Sequence, residues 1–350
     1  MRRAVFTALL AAVSLAACVQ TQRASETSAA SSQPSIAETN PGPPGAAATF
    51  PAGNFDGQVL GAGEPVAKST VTLYAATSDS PKQLAQTQTG DDGKFTMSFG
   101  SGSGILYLVA SGGESKAGRE PGNNPAIALI SVIGTRPPPS VVVNEYTTIA
   151  SVWTMNQFIN GTAIEGYALG LSIGAGNVPN FVDLQTGGWG GAIQDSLNGP
   201  QTPTMANFAT LADLLSGCVT RVTADACPSL FSAATPPTHN IASDTLTATE
   251  SIARYPWYKP KRLFALLDQF YPVPQGKNLR AVPYVPYLNW APSAWVLPLK
   301  FESEAVSIRV LPAFASIVPL FVRLLPLTVR ELPGEFAKIV PAASLMTFRA

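Results

Sequence analysis

Between Phe55 and Ala110 apolar side chains recur at every second position, in short runs broken by glycine, aspartate and serine. That period of two restricts this part of the chain to half-buried β-strands. The runs are Gly57–Leu60, Ser69–Tyr74, Leu84–Thr89, Lys94–Phe99 and Ile105–Ala110. Val71 and Leu73, with Phe95, Met97 and Phe99, are expected to share one buried face. Gly90-Asp91-Asp92-Gly93 separates the third run from the fourth and predicts a tight turn, because Asp and Gly tolerate positive φ. Asp91 and Asp92 read as that turn, since a calcium site needs about six or more oxygen ligands.

The period changes beyond Arg136-Pro137-Pro138-Pro139, a stretch stiffened as polyproline. Asn144 can cap a helix from Glu145 to about Ile159, and Thr202-Pro203 opens another that carries Met205, Phe208, Leu211 and Leu215 at helical spacing to Gly217. Ser243 is expected to cap Asp244–Arg254, and Pro260 to open a segment striped by Leu263, Leu266, Leu267 and Phe270. Gly166, Gly170 and Gly174 fall four apart in a run too short to span a bilayer, which predicts close helix packing or a glycine-rich loop. The predicted fold class is therefore α+β and multidomain. An N-terminal antiparallel β-sandwich (51–115) is followed by a Pro/Gly-rich linker or exit strand (116–140) and a mainly α-helical domain (141–300). Ala126–Ile133, inside the linker, reads as a strand or as the sandwich's exit.

The N-terminus carries Met1-Arg2-Arg3, an apolar stretch from Ala4 to Val13 and then Leu15-Ala16-Ala17-Cys18, the three regions of a secretory signal. This end resembles the bacterial lipoprotein box, which implies cleavage of 1–17 and attachment of fatty acyl chains such as palmitate to Cys18. Two or three such chains anchor firmly at about 0.8 kcal/mol per buried CH₂. Val19 stands where an inner-membrane retention signal would carry Asp, so the expected location is the cell envelope, at the outer rather than the inner membrane. Residues 18–50 have almost no large apolar side chain before Phe50 and are expected to form a flexible stalk. In an oxidising compartment Cys218 and Cys227 should form a disulfide, whose small loop the chain-entropy model credits with roughly 2–3 kcal/mol. With no second cysteine pair and His239 distant in sequence, they do not make a four-ligand metal set.

Lys and Arg number 22, as do Asp and Glu, and loss of Arg2 and Arg3 keeps the chain near neutrality. Nothing in that balance makes an electrostatic case for nucleic acid. Charged residues at 13%, with Gly 29 and Pro 31, suit a loop-rich exported protein better than a cytoplasmic enzyme. No phosphate-binding loop, dinucleotide fingerprint or metalloprotease helix occurs, and no cofactor is expected. The only histidine, His239, sits in a loop, and Glu145, Glu165, Asp183, Asp195 and Asp213 follow no glycosidase spacing. Among the aromatics, Tyr255, Trp257 and Tyr258 form the cluster that reads as most exposed, the candidate patch for a protein or polysaccharide ligand.

Two resemblances extend this reading. The Gly57-Gln58-Val59 strand, Val71-Thr72-Leu73-Tyr74 and the hairpin Asp92-Gly93-Lys94-Phe95 resemble the carboxypeptidase regulatory-like or transthyretin-like β-sandwich over about 60 residues. That likeness implies a spacer or adhesion module without catalysis of its own. Val143–Ala150, Thr210–Cys218, Ala226-Cys227, Leu230–Pro236 and Ser293–Leu299 are similar to successive blocks of a helical, disulfide-bearing module of exported bacterial proteins. That module often precedes an NHL-type β-propeller or Ig-like repeats. The likeness covers roughly 140–300, and Ser293–Leu299 would be the short strand that closes the module.

Beyond Phe301 the likeness ends and the composition changes. Residues 301–350 contain no Asn, Asp, Gln or Tyr, and prolines 312, 319, 326 and 333 break the apolar run every seven residues. Arg309, Arg323 and Arg330 also argue against a transmembrane span. The tail is expected to be atypical, disordered or the product of a frameshift that truncated the chain before a propeller. The expected function is that of a noncatalytic cell-envelope lipoprotein, a surface binding or structural module held to the membrane by its lipid. The alternatives are a hydrolase of envelope or extracellular polymers and a carbohydrate-binding module.

Overall fold

The computed structural model describes residues 47–199 and 202–301. The expected signal 1–17, the expected lipid site Cys18, the expected stalk up to residue 46 and the tail beyond Phe301 lie outside them. The chain is α+β, with strands preceding the main helices. The strands are β1 (Thr49–Phe50), β2 (Gly53–Gly61), β3 (Glu64–Ala67), β4 (Thr70–Ala76), β5 (Lys82–Gln88), β6 (Lys94–Phe99), β7 (Gly102–Ser103), β8 (Ile105–Ser111), β9 (Glu114–Ser115), β10 (Ala128–Gly134) and β11 (Ser140–Val143). Helix α1 (Glu145–Met155) follows, then the small hairpin β12 (Ile159–Asn160) and β13 (Ala163–Ile164). The remaining helices are α2 (Ala168–Phe181), α3 (Gly191–Gln194), α4 (Thr204–Val219), α5 (Ala226–Ala234), α6 (Thr245–Arg254), α7 (Pro260–Phe264) and α8 (Leu266–Phe270).

Two sheets face each other. One has the order β10-β8-β4-β5, and the other runs β11-β2-β3-β9 with β6 paired to β2. Phe55, Val59, Phe95 and Met97 meet Val71, Leu73, Leu106 and Leu108 between them, so the alternating apolar positions do share one buried face. The expected turn closes with Gly93 at φ +73°, and the Lys94 N–H donates to Asp92 Oδ1 at 3.0 Å. Asp92 is thereby engaged by the turn itself. Phe50, read as the end of the stalk, is already buried in β1, which pairs with β7. The sandwich also includes one parallel pair where only antiparallel strands were expected: Ser140 lies opposite Asp56 and Val143 opposite Val59. The reason is the crossover between Gly134 and Ser140, which carries the chain from one sheet to the other and returns it along β2 in the same direction.

The helices pack on the outer face of the β10-β8-β4-β5 sheet. In β8, Leu106, Leu108 and Ala110 point into the sandwich, whereas Ile105, Tyr107 and Val109 point toward the helices. In β10, Leu129 and Ile133 face inward and Ala128, Ile130 and Val132 face the helices. A strand buried on both faces reads as an unbroken apolar run. This is why Ala126–Ile133 left strand and exit segment undecided in the sequence, and why sheet and helices share one hydrophobic cluster here.

Strand β10 lies at the edge of its sheet, so alternate N–H groups have no neighbouring strand. Helix hydroxyls take that place. Ala128 N–H donates to Thr245 Oγ1 at 2.9 Å, Ile130 N–H to Thr148 Oγ1 at 3.0 Å, and Val132 N–H to Ser151 Oγ at 2.9 Å. The acceptors on α1 are set by its start: Asn144 accepts from the Thr147 N–H and Thr147 Oγ1 accepts from the Asn144 N–H, each at 2.9 Å. Asp244, rather than the Ser243 expected from sequence, caps α6 in the same reciprocal way with Thr247. Gly174 lets α2 approach α1, since a Cβ there would stand 2.6 Å from Met155 Sδ and 3.0 Å from the Thr154 carbonyl. Gly170 in α2 and Gly166 just before it face the Phe158 ring, beyond the end of α1, so only Gly174 of the three packs helix on helix.

Helix α4 ends against the sandwich. Asn124 Nδ2 donates to the Cys218 carbonyl at 2.9 Å, and the Arg119 N–H to the Thr220 carbonyl at 3.1 Å. The segment expected to be a linker therefore satisfies terminal carbonyls of a helix. Cys218 and Cys227 are disulfide-bonded and join α4 to α5.

Thr148→Val keeps the shape of the α1 side chain but leaves the buried Ile130 N–H without an acceptor. Urea denaturation should show a loss of about 1–3 kcal/mol. A loss below about 0.5 kcal/mol would mean that the β10 edge does not depend on this bond.

Candidate functional site

Helix α4 is buried on almost every side, yet Thr204, Asn207, Thr210 and Asp213 place a polar side chain at each third position along it. Residues at that spacing lie on one flank of a helix. An irregular segment, 284–300, runs antiparallel to this flank and is bonded to it through its backbone. Tyr284 N–H donates to Asp213 Oδ1 at 2.9 Å, and Leu288 N–H to Thr210 Oγ1 at 2.8 Å. Asn207 Nδ2 donates to the Val296 carbonyl at 3.1 Å, and Thr204 Oγ1 to the Pro298 carbonyl at 2.6 Å. Asn198 closes the far end with both its amide atoms on Lys300. Within the segment Trp295, Leu297 and Leu299 are buried at alternate positions, which is the pattern that suggested a short strand at Ser293–Leu299. No ladder forms there, because the partner is a row of side chains on a helix.

Two of the five acidic residues singled out in the sequence meet on this strap. Glu145, the first residue of α1, and Asp213, in the middle of α4, are both fully buried. Tyr284 joins them: its OH donates to Glu145 Oε2 at 2.6 Å while its N–H donates to Asp213. Glu145 Oε1 accepts from the Ala62 N–H in the β2–β3 turn at 2.9 Å. Burial pushes the Glu145 carboxyl up to about 7, against the lowering effect of its Tyr284 and Ala62 bonds. Burial likewise raises Asp213 to about 8, opposed by the Tyr284 N–H and reinforced by Glu145. Desolvation and the nearby carboxyls hold the Tyr146, Tyr271 and Tyr284 phenols above their ordinary value. Among the described residues no lysine, arginine or histidine forms an ion pair with either carboxyl. Asp213 Oδ2 is buried without a hydrogen-bond partner, an environment that favours the neutral form. The pair is sealed from solvent, so what it can do chemically is accept hydrogen bonds and tie the sandwich turn, α1, α4 and the strap together.

The other sequence candidates stay apart. Asp183 Oδ1 accepts from the Gln185 and Thr186 N–H groups, Asp195 Oδ1 from the Leu197 N–H, and Glu165 is exposed. His239 is exposed in a turn at φ +63°, its N–H on the Pro236 carbonyl. Trp257 is 63% exposed, with Tyr255 and Tyr258 half-buried beside it in the chain and Lys259 Nζ 4.8 Å from the centre of the Tyr258 ring. Trp290, on the strap, is 72% exposed. By contrast, no Trp, Tyr or Phe on the described strands is exposed. The outer face of the second sheet carries a cleft of about 570 Å³ lined by Asp56, Gln58, Lys94, Thr96, Ser140 and Gln185. Some of its polar groups are already engaged, as when Thr96 Oγ1 donates to Asp56 Oδ1 at 2.8 Å. Among the described residues no three His, Cys, Asp or Glu side chains gather as a metal-holding group, and no helix is long and apolar enough to cross a membrane. The Glu145–Tyr284–Asp213 junction was missed in the sequence. Its one visible sign was the polar residue at each third position of an otherwise apolar helix.

No family model matches the chain, and no curated protein matches it. Among solved structures, a 9R-lipoxygenase from Cyanothece PCC8801 aligns with 26% of this chain at 14% identity and a TM-score of 0.19. The alignment spans 15% of the lipoxygenase.

Tyr284→Phe removes the donor to Glu145 Oε2 and leaves a buried carboxyl oxygen unpaired. Thermal and urea denaturation should report a loss of about 1–3 kcal/mol. Unchanged stability would show that this hydrogen bond does not hold the strap.

Proposed function

We propose that the chain is a noncatalytic lipoprotein of the cell envelope, held to a membrane through Cys18 and presenting its sandwich and helices as a binding or structural module. The observation that carries the noncatalytic reading is the sealing of Glu145 and Asp213, the acid pair that the fold unites. A hydrolase of envelope polymers needs two acids open to one cleft, or a base beside a nucleophile. Here the buried acids face Tyr284, and His239 sits exposed in a loop turn.

A polysaccharide-binding role is favoured by a specific feature: Trp257, after α6, and Trp290, on the strap, offer large aromatic faces to solvent. Exposed indoles of this size are enriched where a protein meets a ligand, through stacking and apolar contact. Tyr255 and Tyr258 flank Trp257 in sequence and extend the candidate patch. The resemblance of the sandwich to carboxypeptidase regulatory-like and transthyretin-like domains, and of residues 140–300 to the module that often precedes propellers, supports an accessory role at the cell surface.

Two measurements test this reading. Cosedimentation of the mature protein with purified envelope polysaccharide should weaken about thirtyfold in Trp257→Ala if the indole is an anchor contributing about 2 kcal/mol. Equal binding by wild type, Trp257→Ala and Trp290→Ala would remove the aromatic patch from consideration. Separately, Cys18→Ser should move the protein from the membrane to the soluble fraction. A variant still membrane-bound in high salt would contradict lipid anchoring.

A further inference from the structure

The strap of residues 284–300 is held by bonds of a different kind from the rest of the fold. Its backbone forms no ladder with another strand, and the bonds that fix it to α4 come one at a time from Asp213, Thr210, Asn207 and Thr204. Asn198 adds two bonds to Lys300, and the Trp295 N–H donates to the Pro256 carbonyl at 2.9 Å, in the chain after α6. Val285 and Trp290 face solvent on its outer side. At its start both backbone and side chain of Tyr284 end on buried carboxyls. The geometry points to a pH-sensitive strap: residues 284–300 are latched to α4 while Glu145 and Asp213 are neutral, and detach locally when the two carboxyls ionise.

The titratable groups around this latch come from each element packed on it. They are Glu145 and Tyr146 from α1, Asp213 from α4, Tyr271 after α8 and Tyr284 from the strap itself. The three phenols remain neutral across the working range, since burial raises all of them. Only the carboxyls change charge there, and they change it in the same direction. Ionising both places two negative charges against one tyrosine with no cation bonded to either, a cost that opening to water relieves. In the latched state the carboxyls titrate at about 7 and about 8, and in the opened state they return toward ordinary carboxylate values. The latched state therefore binds more protons throughout the interval between those values. Its stability is fully present below the ordinary carboxylate range and is lost as pH rises through the latched-state values. Each carboxyl that sheds its proton on opening raises the opening equilibrium by up to about tenfold per pH unit. The sandwich contributes only the Ala62 N–H, which donates to Glu145 Oε1 and does not titrate.

Amide hydrogen exchange on the full chain reads this directly. Protection of the Tyr284, Leu288 and Lys300 N–H groups, corrected for intrinsic exchange, should lie below that of β8 amides at every pH and should fall at least about tenfold between about pH 6 and about pH 8.5. The double variant Glu145→Gln, Asp213→Asn keeps acceptors for Tyr284 but cannot ionise, and its strap protection should stay level over the same range. If that variant does not fold, each single variant should still remove part of the fall. Strap protection equal to that of β8 throughout the range would overturn the proposal, because the strap would then open only with the whole fold. A full fall persisting in the amide variants that fold would overturn it as well.

Discussion

Buried backbone that no strand pairs has to find its hydrogen bonds elsewhere, and in this protein helix side chains supply them. Strand β10 has no neighbour on its outer edge, so Thr148, Ser151 and Thr245 accept its N–H groups. The strap has no strand neighbour at all, so Asp213, Thr210, Asn207 and Thr204 bond its backbone along α4. Leaving one such group unpaired in a dry interior costs about 1–3 kcal/mol, which makes these small polar side chains as necessary as the apolar ones around them. Serine, threonine and asparagine are indifferent helix formers. They are retained in α1 and α4 because their side chains complete another element's backbone.

This arrangement makes the helical layer inseparable from the sandwich. Helix α1 lies on β10, α4 terminates on the loop before β10, and Val219 at the end of α4 packs into the sandwich core with Val66 and Val71. Glu145 adds a bond from the start of α1 to the turn between β2 and β3. Tyr284 then brings the strap to the same point, where the carboxyls of two helices converge. A carboxyl pair in such a place resembles catalytic machinery in composition but not in access. The desolvation that raises both acids also shuts out any substrate, so their chemical consequence is on stability and its dependence on pH.

The aromatic residues divide by the same criterion of access. Tyr146, Trp189 and Phe208 pack ring against ring beneath the strap, at centroid distances of 4.6 Å, 5.0 Å and 5.6 Å. Trp257 and Trp290 instead remain in water, where neither contributes to the core. An exposed indole buries little apolar area and so gives little stability. The strap carries both kinds, with Trp295 buried and Trp290 outside.

Local chemistry was legible where a residue's role depends on its near neighbours in the chain. The period of two fixed the central strands, Asp92-Gly93 the hairpin, Asn144 the start of α1, and Cys218 and Cys227 their disulfide. The glycine spacing left close helix packing and a glycine-rich loop open, and only Gly174 proved to seat one helix on another. What the sequence alone left open was every role decided by a distant partner. Ala126–Ile133 could not be assigned because a strand buried on both faces has no alternation, and Ser293–Leu299 looked like a strand because alternate burial does not reveal whether the backbone partner is a strand or a helix. Glu145, Asp213 and Tyr284 are separated by dozens of residues and follow no motif, so only the tertiary structure brought them together. The reason is physical: periodicity and turn chemistry are properties of a few consecutive residues, whereas burial of a charge and the bond that compensates it exist only once remote segments have displaced the water between them.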